Sequence, residues 1–259
     1  MSSLLFHKII FGPLHSRRLG RSLGINLLPE NKKVCSMNCI YCECGWGETD
    51  KIQSSGLLSA NEIIPVLREH FQKMHRENTV IDSITYAGNG EPTLHPQFAA
   101  INQEIMRLRD LYFPQTIITC LSNSTQLHRK DVLEALLTID NPLMKLDAGS
   151  QYMFEQINRS YAFLRLDDIC ADLQKFGGRL SIQTLFLRGV LDDDVLVDNT
   201  TESEVNAWLE RLTVIRPQRV VLYSIDRATP VRQLEKISVE DLTLIARKVQ
   251  QLGVKTEVY

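Results

Sequence analysis

No stretch of this 259-residue chain approaches the roughly 18 consecutive apolar residues that a membrane-spanning helix needs. The opening residues, MSSLLFHKIIFGP, lack a cationic leader, an apolar run and a small-residue cleavage site, so the chain is read as cytoplasmic, with no membrane partner. An excess of one charge is missing too: 29 Lys and Arg stand against 31 Asp and Glu, a formal net charge of −2 that argues against a wholesale nucleic-acid binder. Pro and Gly are scattered, and there is neither a low-complexity tract nor a sequence repeat to mark a linker or an array. One domain over residues 1–259 is therefore expected. Cysteine is scarce, six in all, yet four of the six fall within residues 35–44. In a reducing compartment such clustered thiols hold metal or do redox chemistry more readily than they form disulfides.

What is present alternates. Strand-like runs at 23–29, 82–88, 115–123, 142–148, 179–188 and 219–226 are each followed by a helix-like stretch, at 61–74, 97–110, 128–138, 165–176, 202–213 and 238–252. Six β-then-α cycles predict parallel strands joined by right-handed crossovers with helices covering the sheet. The fold class is thus α/β, a partial or complete (β/α) barrel of the TIM type. Chemistry in that architecture gathers just past the C-terminal ends of the strands. Ahead of the first strand, residues 1–33 carry Lys8, Arg17, Arg18, Arg21, Lys32 and Lys33 against Glu30 alone, a local basic segment.

The loop after the first strand, residues 34–47, reads VCSMNCIYCECGWG. Cys35, Cys39 and Cys42 are spaced C-x3-C-x2-C. A closed structural zinc site would need Cys44 as its fourth ligand, across a single residue from Cys42, which is a cramped chelate. Thiols that merely pack gain little on a loop beside Asn38 and Glu43. Iron–sulfur clusters are held at short spacings like these, and three thiolates leave one iron of a four-iron cluster open for chemistry.

The segment CSMNCIYC resembles the signature of the radical S-adenosylmethionine (radical SAM) superfamily, in which an aromatic residue precedes the last cysteine. The resemblance implies a [4Fe-4S] cluster on Cys35, Cys39 and Cys42 whose open iron chelates the amino and carboxylate groups of S-adenosylmethionine, with Tyr41 beside the adenine. One electron then cleaves the sulfonium to methionine and a 5′-deoxyadenosyl radical that abstracts hydrogen from substrate. AGNGEP (87–92), at the tip of the second strand, is by its residues a turn in which Gly88 and Gly90 permit close backbone approach and Pro92 holds Glu91 extended. It is similar to the family's Gly-Gly-Glu-Pro-type motif, which implies that Gly88, Asn89, Gly90 and Glu91 bind the cofactor's amino group.

Further positions follow at later tips. LSNST offers Ser122 and Asn123 where the family has a polar stretch near the cofactor. Lys145 and Asp147, two apart on a strand, share a face, where the pair must neutralise itself or meet a ligand; a lysine at a comparable place in some members holds the cofactor's carboxylate. Gln183 is placed inward, against cofactor, substrate or backbone. FGPLHSRRLGRSLGINLLP, GNGEPTLHP, KLDA and YSIDRATP together resemble the subgroup that includes the wyosine synthases of transfer RNA. That likeness makes Arg17, Arg18, Asp226 and Arg227 substrate-site candidates, although those synthases carry extra upstream cysteines and here none precedes Cys35. Cys120 and Cys170 suit small buried hydrophobes, Cys44 stays ambiguous, and His70, His75, His95 and His128 are expected at the surface. Two functions stay open: an enzyme acting on a small molecule or nucleic-acid base, or an activase or peptide modifier acting on a partner protein. Either needs an electron donor such as flavodoxin or ferredoxin.

Overall fold

The computed structural model describes residues 4–47, 56–191 and 194–259. In chain order its strands are β1 (Ile10–Ser16), β2 (Gly20–Ile25), β3 (Ser83–Tyr86), β4 (Ile117–Ser122), β5 (Asn141–Lys145), β6 (Ser181–Val190), β7 (Leu196–Asp198), β8 (Arg219–Ser224), β9 (Leu234–Lys236) and β10 (Lys255–Val258). The helices are α1 (Ala60–Arg76), α2 (Phe98–Tyr112), α3 (Lys130–Thr138), α4 (Gln151–Asn158), α5 (Leu166–Gln174), α6 (Glu202–Ile215) and α7 (Val239–Gln250). The main sheet runs β1-β2-β3-β4-β5-β6-β8-β10 and is parallel from β2 onward. Among the described residues β1 and β10 do not pair, so the barrel is partial. Among the described residues no helix is long and apolar enough to cross a membrane.

Each of the six cycles forms, with ends displaced by a few residues. α1 illustrates why: Ile63, Leu67, Phe71 and Met74 recur at helical spacing and are all buried, while the Glu62 carboxylate accepts the Ser59 backbone N–H at 2.8 Å and caps the first turn. The basic segment ahead of the first cycle folds as well. β1 pairs antiparallel with β2, and Gly12–Pro13 interrupts the ladder with a register shift between Phe11 and Leu14. Beyond the cycles lie α4, the short β7 and β9 antiparallel to the far end of β6, and β10 at the sheet's edge.

One face of the sheet packs on the helices, as where the Tyr86 hydroxyl donates to Asn102 of α2 at 2.9 Å. The opposite, inner face has a polar floor. Ser22 Oγ lies 2.7 Å from Thr85 Oγ1, which lies 3.0 Å from Ser83 Oγ, and Ser83 donates to Thr119 Oγ1 at 3.2 Å. Asn141 donates to that same Thr119 oxygen at 3.2 Å and accepts from Ser181 at 3.1 Å and Arg219 at 3.0 Å. Arg219 then meets Glu257 at 2.8 Å, so the ladder crosses β2, β3, β4, β5, β6, β8 and β10. Lys145, Gln183 and Tyr223 lie further along the same face, two or four residues beyond ladder members.

Candidate active site

The cysteine loop is pinned on three sides. Val34 N–H donates to Asn89 C=O at 2.8 Å and Glu91 N–H to Val34 C=O at 3.1 Å, which ties the loop to the tip of β3. Asn38 and Ile40 N–H donate to Asn158 and Ile157 C=O at 3.1 and 3.0 Å, at the end of α4, and Val231 N–H donates to Ile40 C=O at 3.3 Å. Met37 and Ile40 anchor the loop in the core. Cys39 is thereby buried while Cys35, Cys42 and Cys44 are half-buried, all as free thiols.

Each of the three signature sulfurs has a nitrogen donor. Asn123 Nδ2 lies 3.5 Å from Cys35 Sγ, and Asn158 Nδ2 lies 3.4 Å from Cys39 Sγ. Cys42 is hydrogen-bonded by the Cys44 thiol and the Lys33 ammonium, which hold its pKa below the usual thiol value against the effect of burial. Burial pushes the Cys35 thiol up to about 12. Lys33 is itself buried, which alone would lower its pKa, but Cys42, Cys35 and Cys39 together raise it; its Nζ also donates to Gly45 C=O at 3.0 Å and Asn38 Oδ1 at 3.2 Å. Among the described residues no three His, Cys, Asp or Glu side chains converge as they would on a single ion. A cluster whose irons each take one thiolate asks instead for sulfurs held apart and supplied with N–H donors, and the loop fits that requirement.

Gly88 and Gly90 have φ of +144° and +134°. A Cβ at Gly88 would stand 2.3 Å from Asn26 Oδ1 and one at Gly90 1.9 Å from Val34 C=O, so both glycines let other parts of the chain approach. Asn89 faces away from the sulfurs: its side chain donates to Phe6 and Pro29 C=O at 2.9 and 2.8 Å and accepts Phe6 N–H at 2.8 Å. Glu91, buried, accepts from Thr93 N–H at 3.1 Å, the Thr93 hydroxyl, Ser122 Oγ at 2.9 Å and Asn123 N–H at 2.5 Å. Its carboxylate staples the tip of β3 to the tip of β4; burial pushes its pKa up and these donors oppose the shift. Asn123, so fixed, aims its amide at Cys35 and at Ser36 Oγ, 2.9 Å away.

Tyr41, Lys145 and Asp147 form one buried group. Tyr41 donates to Asp147 and accepts from Lys145, whose Nζ lies 3.5 Å from Asp147 and 4.8 Å from the tyrosine ring centre. Asn158 joins it to Cys39, donating to Asp147 at 2.9 Å, and its buried Oδ1 has no hydrogen-bond partner among the described residues. Burial alone would lower the Lys145 pKa, but Asp147 raises it overall; Tyr41 is raised by burial and then by Asp147. Gln183 accepts from Arg18 at 3.3 Å and donates to Leu143 C=O at 3.3 Å. Two of the substrate candidates pair with each other, Arg17 with Asp226 at 2.9 Å, and Arg227 pairs with Glu43 of the cysteine loop at 2.5 Å.

Cys120 and Cys170 are buried as small hydrophobes, and Cys44 Sγ lies 3.5 Å from Gly88 C=O. His95 corrects the surface expectation: it is 1 % exposed, its Nε2 lies 2.8 Å from Leu58 C=O, and its Nδ1 accepts Gln97 N–H at 3.1 Å. Sequence reasoning did not single out Lys33, Asn158 or Tyr223. Only Lys33 carries a signal, its place two residues ahead of Cys35.

The family model of the radical SAM superfamily matches residues 33–198. Among curated relatives, the chain is 32 % identical to a protein named GTPase Obg from Brachyspira hyodysenteriae, over 93 % of this chain and 33 % of that one. It thus spans about a third of that relative's length. It is 31 % identical to the UPF0026 protein of Methanocaldococcus jannaschii, over 92 % of this chain and 70 % of that one. A radical SAM methyltransferase from Sphaerobacter thermophilus superposes with a TM-score of 0.63 at 13 % identity, over 92 % of this chain and 65 % of that one, a likeness of fold.

Proposed function

The chain belongs to the radical SAM superfamily, and on that premise we propose that it is an iron–sulfur enzyme that acts on a small molecule or nucleic-acid base. Cys35, Cys39 and Cys42 would hold a [4Fe-4S] cluster, which when bound would supply the electron for reductive cleavage of S-adenosylmethionine and so for hydrogen abstraction from substrate. The observation that carries the reading is the donor set: three free thiols on a loop pinned by β3, α4 and the segment after β8, with Asn123 on Cys35, Asn158 on Cys39 and Lys33 beside Cys42. The buried positive charge of Lys33 offsets thiolate charge that burial would otherwise penalise.

The chain's other residues divide the remaining work. Backbone at Gly88 and Gly90 forms the edge against which the cofactor's amino group lies, and Glu91 holds that edge in register with Ser122 and Asn123. Asn89 anchors the tip from behind. Tyr41 is held by Lys145 and Asp147, so its ring has a fixed place beside the cluster loop. Gln183 and Arg18 lie further into the barrel and face substrate. An electron donor of the flavodoxin or ferredoxin kind completes the system. Anaerobically reconstituted protein, reduced with dithionite and given S-adenosylmethionine, is expected to release 5′-deoxyadenosine and methionine, read by mass spectrometry. A cluster-loaded protein that binds and reduces normally yet forms neither would overturn the reading.

A further inference from the structure

The inner face of the barrel holds a positive charge that no carboxylate among the described residues neutralises. Lys145 has Asp147, which it shares with Tyr41 and Asn158. Arg18, half-buried in the turn between β1 and β2, has no carboxylate within ion-pair distance among the described residues. Asp226, the acid bonded by the adjacent Arg17 at 2.9 Å, is shared with Lys236 at 3.0 Å. What Arg18 has is Gln183 Oε1 at 3.3 Å and the face of the Tyr223 ring, 4.6 Å from its centre. Gln183 cannot turn away freely, because its amide donates to Leu143 C=O. A guanidinium is permanently charged and carries five N–H donors in a fork matched to carboxylate and phosphate. Withdrawing such a charge from water without an anion is costly.

The neighbours place it. Gln183 is the register partner of Lys145, and Lys145 meets Tyr41 of the cysteine loop, so Arg18 stands at the end of the row furthest from the sulfurs. Tyr223 feels both cations: burial raises its pKa while Lys145 and Arg18 pull it down. We infer that Arg18 anchors an anionic group, a carboxylate or a phosphate, of the substrate that enters the barrel. The inference rests on the proposed function for the word substrate. In that reading the cofactor would be held beside the cysteine loop, at the other end of the row, and would not need Arg18.

The test is binding of inorganic phosphate and, separately, acetate to the anaerobically reconstituted protein, by calorimetry, in the parent, R18Q, R18K and R17Q. The parent is expected to bind at least one of the two anions, and which one separates phosphate from carboxylate. R18Q should weaken that binding by about tenfold or more, since a charged hydrogen bond is lost, R18K by less, and R17Q not at all. The affinity for S-adenosylmethionine should stay within about twofold in R18Q, as no contact to it is removed. Should R18Q fail to fold, R18K carries the same test, because it keeps the charge and loses the fork. A parent that binds neither anion, an R18Q that binds as the parent does, an R17Q that falls equally, or an R18Q that loses cofactor rather than anion affinity overturns the inference. Failure of the proposed function would show instead as a parent that releases no 5′-deoxyadenosine, a separate readout.

Discussion

Replacing Glu91 by alanine removes one acceptor group and strands several donors at once. Thr93 N–H, the Thr93 hydroxyl, Ser122 Oγ and Asn123 N–H all end on this carboxylate, and Thr93, Ser122 and Asn123 are themselves buried. Ser122 Oγ still accepts Ser124 N–H at 3.1 Å but its own O–H loses its acceptor, so two backbone amides and two hydroxyls are stranded. At about 1–3 kcal/mol for each buried unsatisfied donor, eased by water entering the space, the loss should be about 3–5 kcal/mol. Glu91→Gln keeps acceptance at one oxygen but points an N–H2 at Asn123 N–H, for a loss of about 2 kcal/mol. Anaerobic urea unfolding gives the global value. Hydrogen exchange at the Thr93 and Asn123 amides gives the local one, expected to quicken by at least tenfold in the alanine variant. S-adenosylmethionine affinity should fall with stability, more in Glu91→Ala than in Glu91→Gln. An alanine variant as stable as the parent that nonetheless fails to bind S-adenosylmethionine would refute this reasoning, because the carboxylate would then be holding the ligand and not the strand tips.

Cys39→Ala should abolish the broad iron–sulfur absorption of the reconstituted protein, whereas Cys170→Ala, in a buried helical position beside Arg211, should keep it; equal losses would mean that the donor set is wrong. Glu104, bonded first by Arg107 and then by Arg68, has its carboxyl held down at about 2, against about 4.5 when free. A depressed acid stabilises fully above its unfolded pKa and loses that contribution as pH falls. The stability difference between the parent and Glu104→Gln, about 1 kcal/mol for a largely surface pair, should therefore be complete above pH 4.5 and vanish towards pH 2. A difference that does not change over that window would show that the arginines do not hold the charge.

The cycles were legible because strands such as Ser83–Tyr86 and helices such as α1 have the periodicity that burial demands. The cysteine spacing and the AGNGEP turn were legible because both are local in sequence. β1 was hidden by Gly12 and Pro13, which break its alternation, and α4 by having only eight residues. The partners that give the site its shape were hidden for another reason: Asn158 meets Cys39 from 119 residues away and Gln183 meets Arg18 from 165. His95 looked like a surface residue beside a helix, and only the fold supplies the Leu58 carbonyl and Gln97 amide that make its burial affordable. The Arg17 and Arg18 pair reads as one basic feature in sequence, and the turn sends its members to different partners, Asp226 outside and Gln183 within.

The polar floor has a consequence for how the chain is made. Arg219 links Asn141 of β5 and Ser181 of β6 to Glu257 of β10, so the floor is completed by a strand synthesised after all its other contributors. A nascent chain that has not yet released Lys255–Val258 keeps Arg219 short of its counter-charge and leaves the β8 edge unpaired. A one-residue slip of any strand turns its contributor to the helix side and cuts the ladder in two. Co-translational folding can therefore build helices and early strand pairs in sequence, but commitment of the whole floor waits for the four-residue β10, and a synthesis product interrupted before it should be conspicuously easy for a protease to find.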